Sequence, residues 1–502
     1  MKTLLLAAAG AVVSVLAFPP YGPGIMIFAG VTLLMIALRL ASSRTQGLLI
    51  GAIYGLVFFG WLMWWLVELE VIALVLVPVQ AAFIAAYGWW LVRYNDRSPG
   101  RWLALAVGGW GLMELIRYYF PVGGLEWGAA GYALSDNRIT RLPAALIGTS
   151  GLTLLVVMVS GLLALALLRS WSPRLWVAVG LIGLVVVLAP ISGSLVSMSF
   201  PGPEETIVQG STPCPYENCP PDERLGTFEQ HLTMTEALEP SFSWLTVWSE
   251  GSTGSVNADP VQNPTVGEAI GEQARRLDSW FVVGSDRPIS ANQWINANVY
   301  FNPEGEIVGE YRKQHPVPFG EYIPFRPLFE WIPALDRVPR DMIRGDGPFV
   351  VDTGETISGV EFKLGSVISF EGGFSRYSLE NRREGANILV VATNEASYGS
   401  DAPTSDQFIG MTRMRAVENG FPVVHAAVTG KSAIISSSGE ILGITGLGTM
   451  EVLTEQGGLP VGRTVFSYIG DSVLYLVAIL GVVVWWRTRS LVGSSNGSQE
   501  EE

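Results

Sequence analysis

Several apolar runs in this sequence are long enough to cross a bilayer, and no other feature restricts the fold as tightly. Backbone in hydrocarbon must satisfy its own hydrogen bonds, so each such run is committed to helix. Residues 48–69, 71–92, 102–120, 144–168 and 468–486 reach the about 20 residues that a span needs. Residues 4–18, 25–38 and 176–191 are shorter but equally apolar, and their flanks can extend each across a locally adapted bilayer. The expectation is eight spans, seven before a long polar stretch and one after it. The opening MKTLLLAAAGAVVSVLAF also has the plan of a cleavable signal peptide, but a second apolar run follows at once, which favours an uncleaved first helix.

Alternating eight helices places Lys2, Arg39, Arg44, Arg93, Arg97, Arg101, Arg169, Arg174, Arg487 and Arg489 on one side, and the positive-inside rule makes that side cytoplasmic. Both termini are then cytoplasmic and the polar stretch extracytoplasmic. The expected plan is a seven-helix bundle over 1–200, an extracytoplasmic domain over 204–465, a C-terminal helix over 467–487 and a disordered cytoplasmic tail over 488–502. The connection from Phe120 to Pro143, rich in Gly and aromatics, reads either as a lipid-facing arm or as an ordered loop capping the bundle.

Charged residues make up 15% of the chain and hydrophobic ones 49%, against about 25% charged in a soluble domain. The net charge of −14, with no basic stripe to neutralise phosphates, argues against nucleic acid as a partner. Cys214 and Cys219, the two cysteines of the chain, sit in STPCPYENCPPDE on the oxidising side, where a local disulfide is expected. Two thiols with no histidine nearby do not make a metal site, and nothing in the sequence asks for a cofactor.

Between 204 and 465 short β-branched and aromatic runs alternate with amphipathic stretches, which predicts an α/β layered domain. Strands are expected at 206–209, 243–248, 280–284, 298–301, 307–311, 363–370, 388–393, 423–428 and 432–436, with NPEG as a hairpin turn. Helices are expected at 226–238, 264–277 and 406–419. The last should have Ser405 as its cap, Gly420 past its end, and Phe408, Met411, Met414 and Val417 as a core stripe.

Three positions carry candidate chemistry. Glu250 ends the run SWLTVWSE, so a buried strand would deliver a carboxylate to the mouth of a sheet, suited to base work; a solvated strand end is the bland alternative. Lys313 follows a predicted strand and precedes a loop stiffened by Pro316, Pro318 and Gly320, where a fixed ammonium could stabilise an oxyanion; an exposed ion-paired lysine is the alternative. Glu321 lies in the same loop. Ser369, in GSVISFEGGFSR, ends another apolar strand at a corner whose backbone N–H groups could form an oxyanion hole. That corner is not a GxSxG elbow, and none of His231, His315 and His425 is spaced usefully near it.

The order Glu, Lys, nucleophile resembles the nitrilase superfamily, whose catalytic set is Glu, Lys and Cys. AFPPYG, VWSE, KQHPVPFGEYIPF, TNEASYG and MTRMRAVENG together resemble the apolipoprotein N-acyltransferase family over essentially the whole chain. The resemblance implies an αββα nitrilase-like sandwich on a helical membrane bundle in a bacterial plasma membrane; a monomer is expected. It implies Glu250 as general base, Lys313 as oxyanion-stabilising cation, Ser369 at the nucleophile's position, and Glu321, Phe370 and Glu371 in support. A membrane phospholipid would donate an acyl chain to the enzyme, and the α-amino group of a diacylated apolipoprotein would accept it.

The departure from the family is that its Cys-Tyr-Glu stretch reads Ser369, Phe370, Glu371 here. A thiol is partly ionised at neutral pH, whereas serine depends on its base throughout the attack. Three readings follow: a working serine transferase, an impaired paralogue serving as a lipid- or lipoprotein-binding scaffold, or a cysteine-to-serine change that traps substrate. An amidase acting on a small C–N substrate is the enzymatic rival, and dependence on long acyl chains separates the two.

Overall fold

The computed structural model of the protein describes all residues except 70–73, 213–220, 242, 330, 337, 399–402 and 497–502. Cys214 and Cys219, and with them the expected disulfide, lie outside the described residues. The chain forms two compact units, Met1–Ile191 with Ile469–Glu502, and Ser192–Tyr468.

The first unit is helical. It comprises α1 (Lys2–Val15), α2 (Met26–Arg39), α3 (Arg44–Leu62), α4 (Leu76–Leu91), α5 (Pro99–Tyr119), α6 (Ala144–Leu167) and α7 (Leu175–Ser194), whose last turn passes into the second unit, and a final helix over Ser472–Asn496. Each apolar run therefore became a helix. The final helix continues past Arg487, into the segment expected as a tail. Arg44–Leu62, Leu76–Tyr94, Ala144–Leu167 and Leu175–Ser194 are long and apolar enough to cross a membrane, and Lys2–Val15, Met26–Arg39 and Ser472–Thr488 are shorter apolar helices.

Small residues set how closely these helices approach. Gly47, Gly51 and Gly55 form one row of α3 against α4, where an added Cβ would come within 2.5 Å of the Gly88 carbonyl, 2.2 Å of the Ile84 carbonyl and 2.6 Å of the Ala81 Cα. Without a hydrophobic drive between helices in lipid, backbone proximity of this kind supplies the packing. Of the two readings of the Phe120–Pro143 connection, the described structure has the ordered loop. Leu125, Trp127 and the short 3-10 helix Ala130–Leu134 are buried within the unit.

The second unit is a four-layer sandwich. One sheet takes β1 (Glu204–Gln209), β2 (Leu245–Trp248), β3 (Trp280–Ser290), β4 (Gln293–Phe301) and β5 (Ile307–Arg312); the other takes β6 (Val351–Ile357), β7 (Val360–Ile368), β8 (Ile388–Thr393), β9 (Val423–Ala427), β10 (Ala433–Ile435) and β11 (Ile441–Ile444). A further strand, β12 (Glu451–Gln456), returns to the first sheet beside β1. Strands β1, β2 and β3 are mutually parallel, as are β7, β8 and β9. Ile207, Val247, Val282, Tyr300 and Tyr311 from the first sheet share one buried core with Leu364, Ile368, Val390 and Val424 from the second, so the sheets pack face to face.

Four helices cover the outer faces: α8 (Pro221–Glu236) and α9 (Pro264–Leu277) on the first sheet, α10 (Ser375–Arg383) and α11 (Thr404–Asn419) on the second. The expected cap of α11 requires correction. Pro403 is its N-cap, and Ser405 lies inside the helix with its hydroxyl donating to the Glu395 carboxylate. Gly420 does end the helix in the left-handed region, at φ 67°. The expected stripe is buried, but so is nearly every other position, including the Arg415–Glu418 ion pair at 3.1 Å.

Candidate active site

Parallel strands bring their carboxyl ends to one edge of the sandwich, the position where open α/β sheets place ligands. Glu250 lies two residues beyond β2, Lys313 directly after β5, Ser369 directly after β7 and Asn394 directly after β8. All three sequence candidates thus stand at strand ends.

Glu250 and Lys313 meet. Lys313 Nζ donates to Glu250 Oε1 at 3.3 Å and to Glu321 Oε1 at 2.5 Å, with the lysine 1% exposed. Neither bland reading applies, since Glu250 is 6% exposed and accepts from Asn296 Nδ2 at 2.6 Å and from the Asn394 N–H at 2.7 Å. Close packing fixes its backbone, because a Cβ on Gly284 would lie 2.6 Å from the Glu250 Cα. Glu321 Oε2 accepts the Val317 N–H at 2.7 Å, which folds the proline-rich loop back on its own lysine.

Electrostatics follow from this geometry. Burial alone would push the Lys313 ammonium down, but Glu250 and Glu321 outweigh it and hold the group above its ordinary value of 10.5. Burial pushes the Glu321 carboxyl up, against the pull of Lys313. Lysine here is a fixed cation.

Ser369 is tied to this cluster by Glu371. The Glu371 carboxylate accepts from Gln314 N at 2.5 Å, His315 N at 2.8 Å, Ile368 N at 2.8 Å and Tyr311 Oη at 2.8 Å. It therefore fastens the backbone just past Lys313 to the residue just before Ser369. Burial pushes this carboxyl up to about 7, against the Ile368 N–H and Lys313. Ser369 is 7% exposed and opens a 3-10 turn, Ser369–Gly373. Its φ of 49° is uncommon for a residue with a Cβ, and such strain collects at functional corners.

Phe370 stacks edge-on against His315, 5.3 Å between centroids, and against Phe374 at 4.9 Å. Tertiary structure thus brings a histidine beside the serine corner, which spacing along the chain did not reveal. Its pKa is lowered to about 3, first by burial and then by Arg376, so the ring is neutral. Asp286, Asn296 and Asn394 were missed as well. Asp286 and Asn296 face each other across β3 and β4, and the signal was the register of the Lys313 strand, through the Lys313 N–H to Asn296 carbonyl bond at 2.9 Å.

Among the described residues no group of histidines, cysteines and acids converges to hold a metal ion. The arrangement instead combines a buried carboxylate, a fixed ammonium and a strained serine at adjoining strand ends, the parts of nucleophilic acyl transfer.

Two family models match the chain: the apolipoprotein N-acyltransferase N-terminal domain over residues 10–162 and carbon-nitrogen hydrolase over residues 211–458. Among curated relatives, the apolipoprotein N-acyltransferase of Photobacterium profundum is 26% identical over 97% of this chain and 94% of its own length. Those of Geobacter metallireducens, 26% identical over 94% and 92%, and Methylococcus capsulatus, 26% identical over 100% and 99%, are similar to the same extent. A carbon-nitrogen hydrolase structure from Helicobacter pylori is 17% identical, with a TM-score of 0.37, over 51% of this chain and 88% of its own. The helical unit and the sandwich each match their own model, and the relatives that carry the name apolipoprotein N-acyltransferase span both.

Proposed function

We propose that the protein moves an acyl chain from a membrane phospholipid to the α-amino group of a diacylglyceryl-cysteine at the N-terminus of a lipoprotein, through an acyl-enzyme on Ser369. In the first step Glu250 takes the hydroxyl proton as Ser369 Oγ attacks the donor ester. Lys313 and backbone N–H groups of the Ser369–Gly373 turn stabilise the oxyanion, and the lysophospholipid leaves with the proton. In the second step the neutral amine attacks the serine ester, Glu250 takes a proton from it, and collapse returns that proton to Ser369 as the amide departs.

The observation that carries this reading is the buried Glu250–Lys313–Glu321 cluster, fastened through Glu371 to the serine corner. The family's relatives support the substrate class, and the apolar helices support a membrane setting. We further take the eight apolar helices as alternating spans of a plasma membrane, with the sandwich extracytoplasmic, both termini cytoplasmic and the protein a monomer.

The test is N-acylation of a diacylglyceryl-cysteine peptide by the purified protein with phospholipid, followed by mass spectrometry. Product from the wild type should fall by roughly 10³-fold or more in Ser369→Ala, and Ser369→Cys should work faster because its thiol ionises more readily. A wild type that is inactive and rescued by Ser369→Cys overturns the serine acyl-enzyme in favour of a disarmed site. Inactivity in all three leaves the binding scaffold.

A further inference from the structure

Lys313 serves more acid than it can balance. It bonds to Glu250 and Glu321, and Asp286 lies in the field of the same three groups. Register places Asp286 with them. It is directly opposite Asn296, the residue that holds Glu250 and whose carbonyl takes the Lys313 N–H. Directly opposite residues project on the same face of a sheet, and that face is the inner one, because Tyr300 of the same strand parity joins the core between the sheets.

Among the described residues Asp286 Oδ1 has no hydrogen-bond partner, nor has Asn296 Oδ1, nor either side-chain polar atom of Asn298. Asn296 is 3% exposed and Asn298 fully buried, and Asn298 follows Asn296 by two residues on the same face, opposite Gly284 and Tyr311. A buried polar group left unpaired costs about 1–3 kcal/mol. Three acceptors at adjacent positions, Asp286 Oδ1, Asn296 Oδ1 and Asn298 Oδ1, correspond to the three N–H donors of an ammonium. Such a set of acceptors beside a carboxylate suits the geometry of a primary ammonium.

We propose that Asp286, with Asn296 and Asn298 beside it, binds the primary ammonium of the acceptor. The inference rests on the acyl-transfer reading and adds a specificity-determining residue to it. Asp286 holds the amine before attack, next to the base that must deprotonate it, and a substrate blocked at nitrogen loses both charge and donors. Burial, then Glu250 and Glu321, push the Asp286 carboxyl up to about 7, consistent with a carboxylate kept short of positive partners until substrate arrives.

The experiment measures binding without turnover, in the full-length Ser369→Ala protein in detergent. The probes are a diacylglyceryl-cysteine peptide with a free α-amine and the same peptide N-acetylated. Hydrogen bonds to a charged group predict a preference of about tenfold or more for the free amine. Asp286→Asn, nearly isosteric, should bring the preference close to unity, and Asp286→Glu should restore part of it. With Ser369 intact, Asp286→Asn should raise the KM for the acceptor peptide by about tenfold or more, and Asp286→Glu should recover part of it. Equal binding of the two peptides, a preference that survives Asp286→Asn, or an acceptor KM that Asp286→Asn leaves unchanged would each overturn the assignment. Should the wild type release no lysophospholipid while the amine preference holds, the acyl-transfer reading fails and the ammonium site stands.

Discussion

Both units bury charge, but on different terms. In the helical unit Arg117, 2% exposed, has its donors filled by Gln80 Oε1 at 2.7 Å, Glu114 Oε2 at 2.9 Å and the carbonyls of Leu125 at 3.3 Å and Trp127 at 3.0 Å. One cation meets one carboxylate, and the neutral partners secure the loop after α5. In the sandwich Lys313 meets two carboxylates directly and a third through space. A balanced buried charge holds structure together, whereas an unbalanced one is tolerated where something else must complete it.

The largest effect is expected where balance is broken. Arg117→Met leaves Glu114 without its cation and two carbonyls without donors, so it should cost about 3–5 kcal/mol and lower the unfolding temperature in detergent sharply. The double variant Arg117→Met with Glu114→Gln should recover a measurable part. A single variant as stable as wild type would show that the pairing is incidental and remove this side of the comparison.

At the unbalanced site the effect should appear in rate. Lys313→Met removes the cation facing the developing oxyanion, with an expected loss of about 10²–10³-fold in N-acylation. It also leaves Glu250 and Glu321 facing each other, so Glu321→Gln on top of Lys313→Met should recover stability but not activity. Retained activity in Lys313→Met would mean that backbone donors at the Ser369 turn suffice.

How much of this was legible depended on whether a signal was local. Glu250, Lys313 and Ser369 each end an apolar β-run and sit in recognisable motifs, and all three occupy strand ends. Helix α10 was not foreseen because SRYSLENRR has no apolar stripe; it buries Ser378, Asn381 and Arg382 beside Leu379. Strand β6 was hidden by the glycine that interrupts VDTGETI, and Asp286 was missed because β3 pairs on to Ser290, beyond the apolar run that ended its expected range at Gly284. The small-residue row of Gly47, Gly51 and Gly55 is invisible to hydropathy, which registers that a run is apolar but not how closely it packs. Ser405 met every local criterion for a cap, yet the Glu395 carboxylate, distant from it in the expected layout, claims its hydroxyl.

The smallest expected effect sharpens the comparison by asking whether any unbalanced charge will do. Glu205 lies opposite Leu245, at the start of β2 and so at the other end of the sheet from Glu250. It is fully buried, and among the described residues neither carboxylate oxygen has a partner. Burial pushes it from 4.5 up to about 8. The folded state therefore keeps a proton that the unfolded chain releases, and stability from this group is present below about pH 4.5 and is lost as pH rises through about 8. Glu371 and Asp286, both raised to about 7, add the same sign over a narrower window. Glu205→Gln removes the ionisation but keeps an unsatisfied amide, so the net gain at pH 8.5 should be about 1–2 kcal/mol, with no gain at pH 5. Thermal unfolding at the two pH values measures it directly. N-acylation should be unchanged, because this carboxylate sits away from the Lys313 cluster. A Glu205→Gln protein that gains no stability at pH 8.5 would mean that the carboxylate is compensated in solution; one that also loses activity would extend the functional region across the sheet.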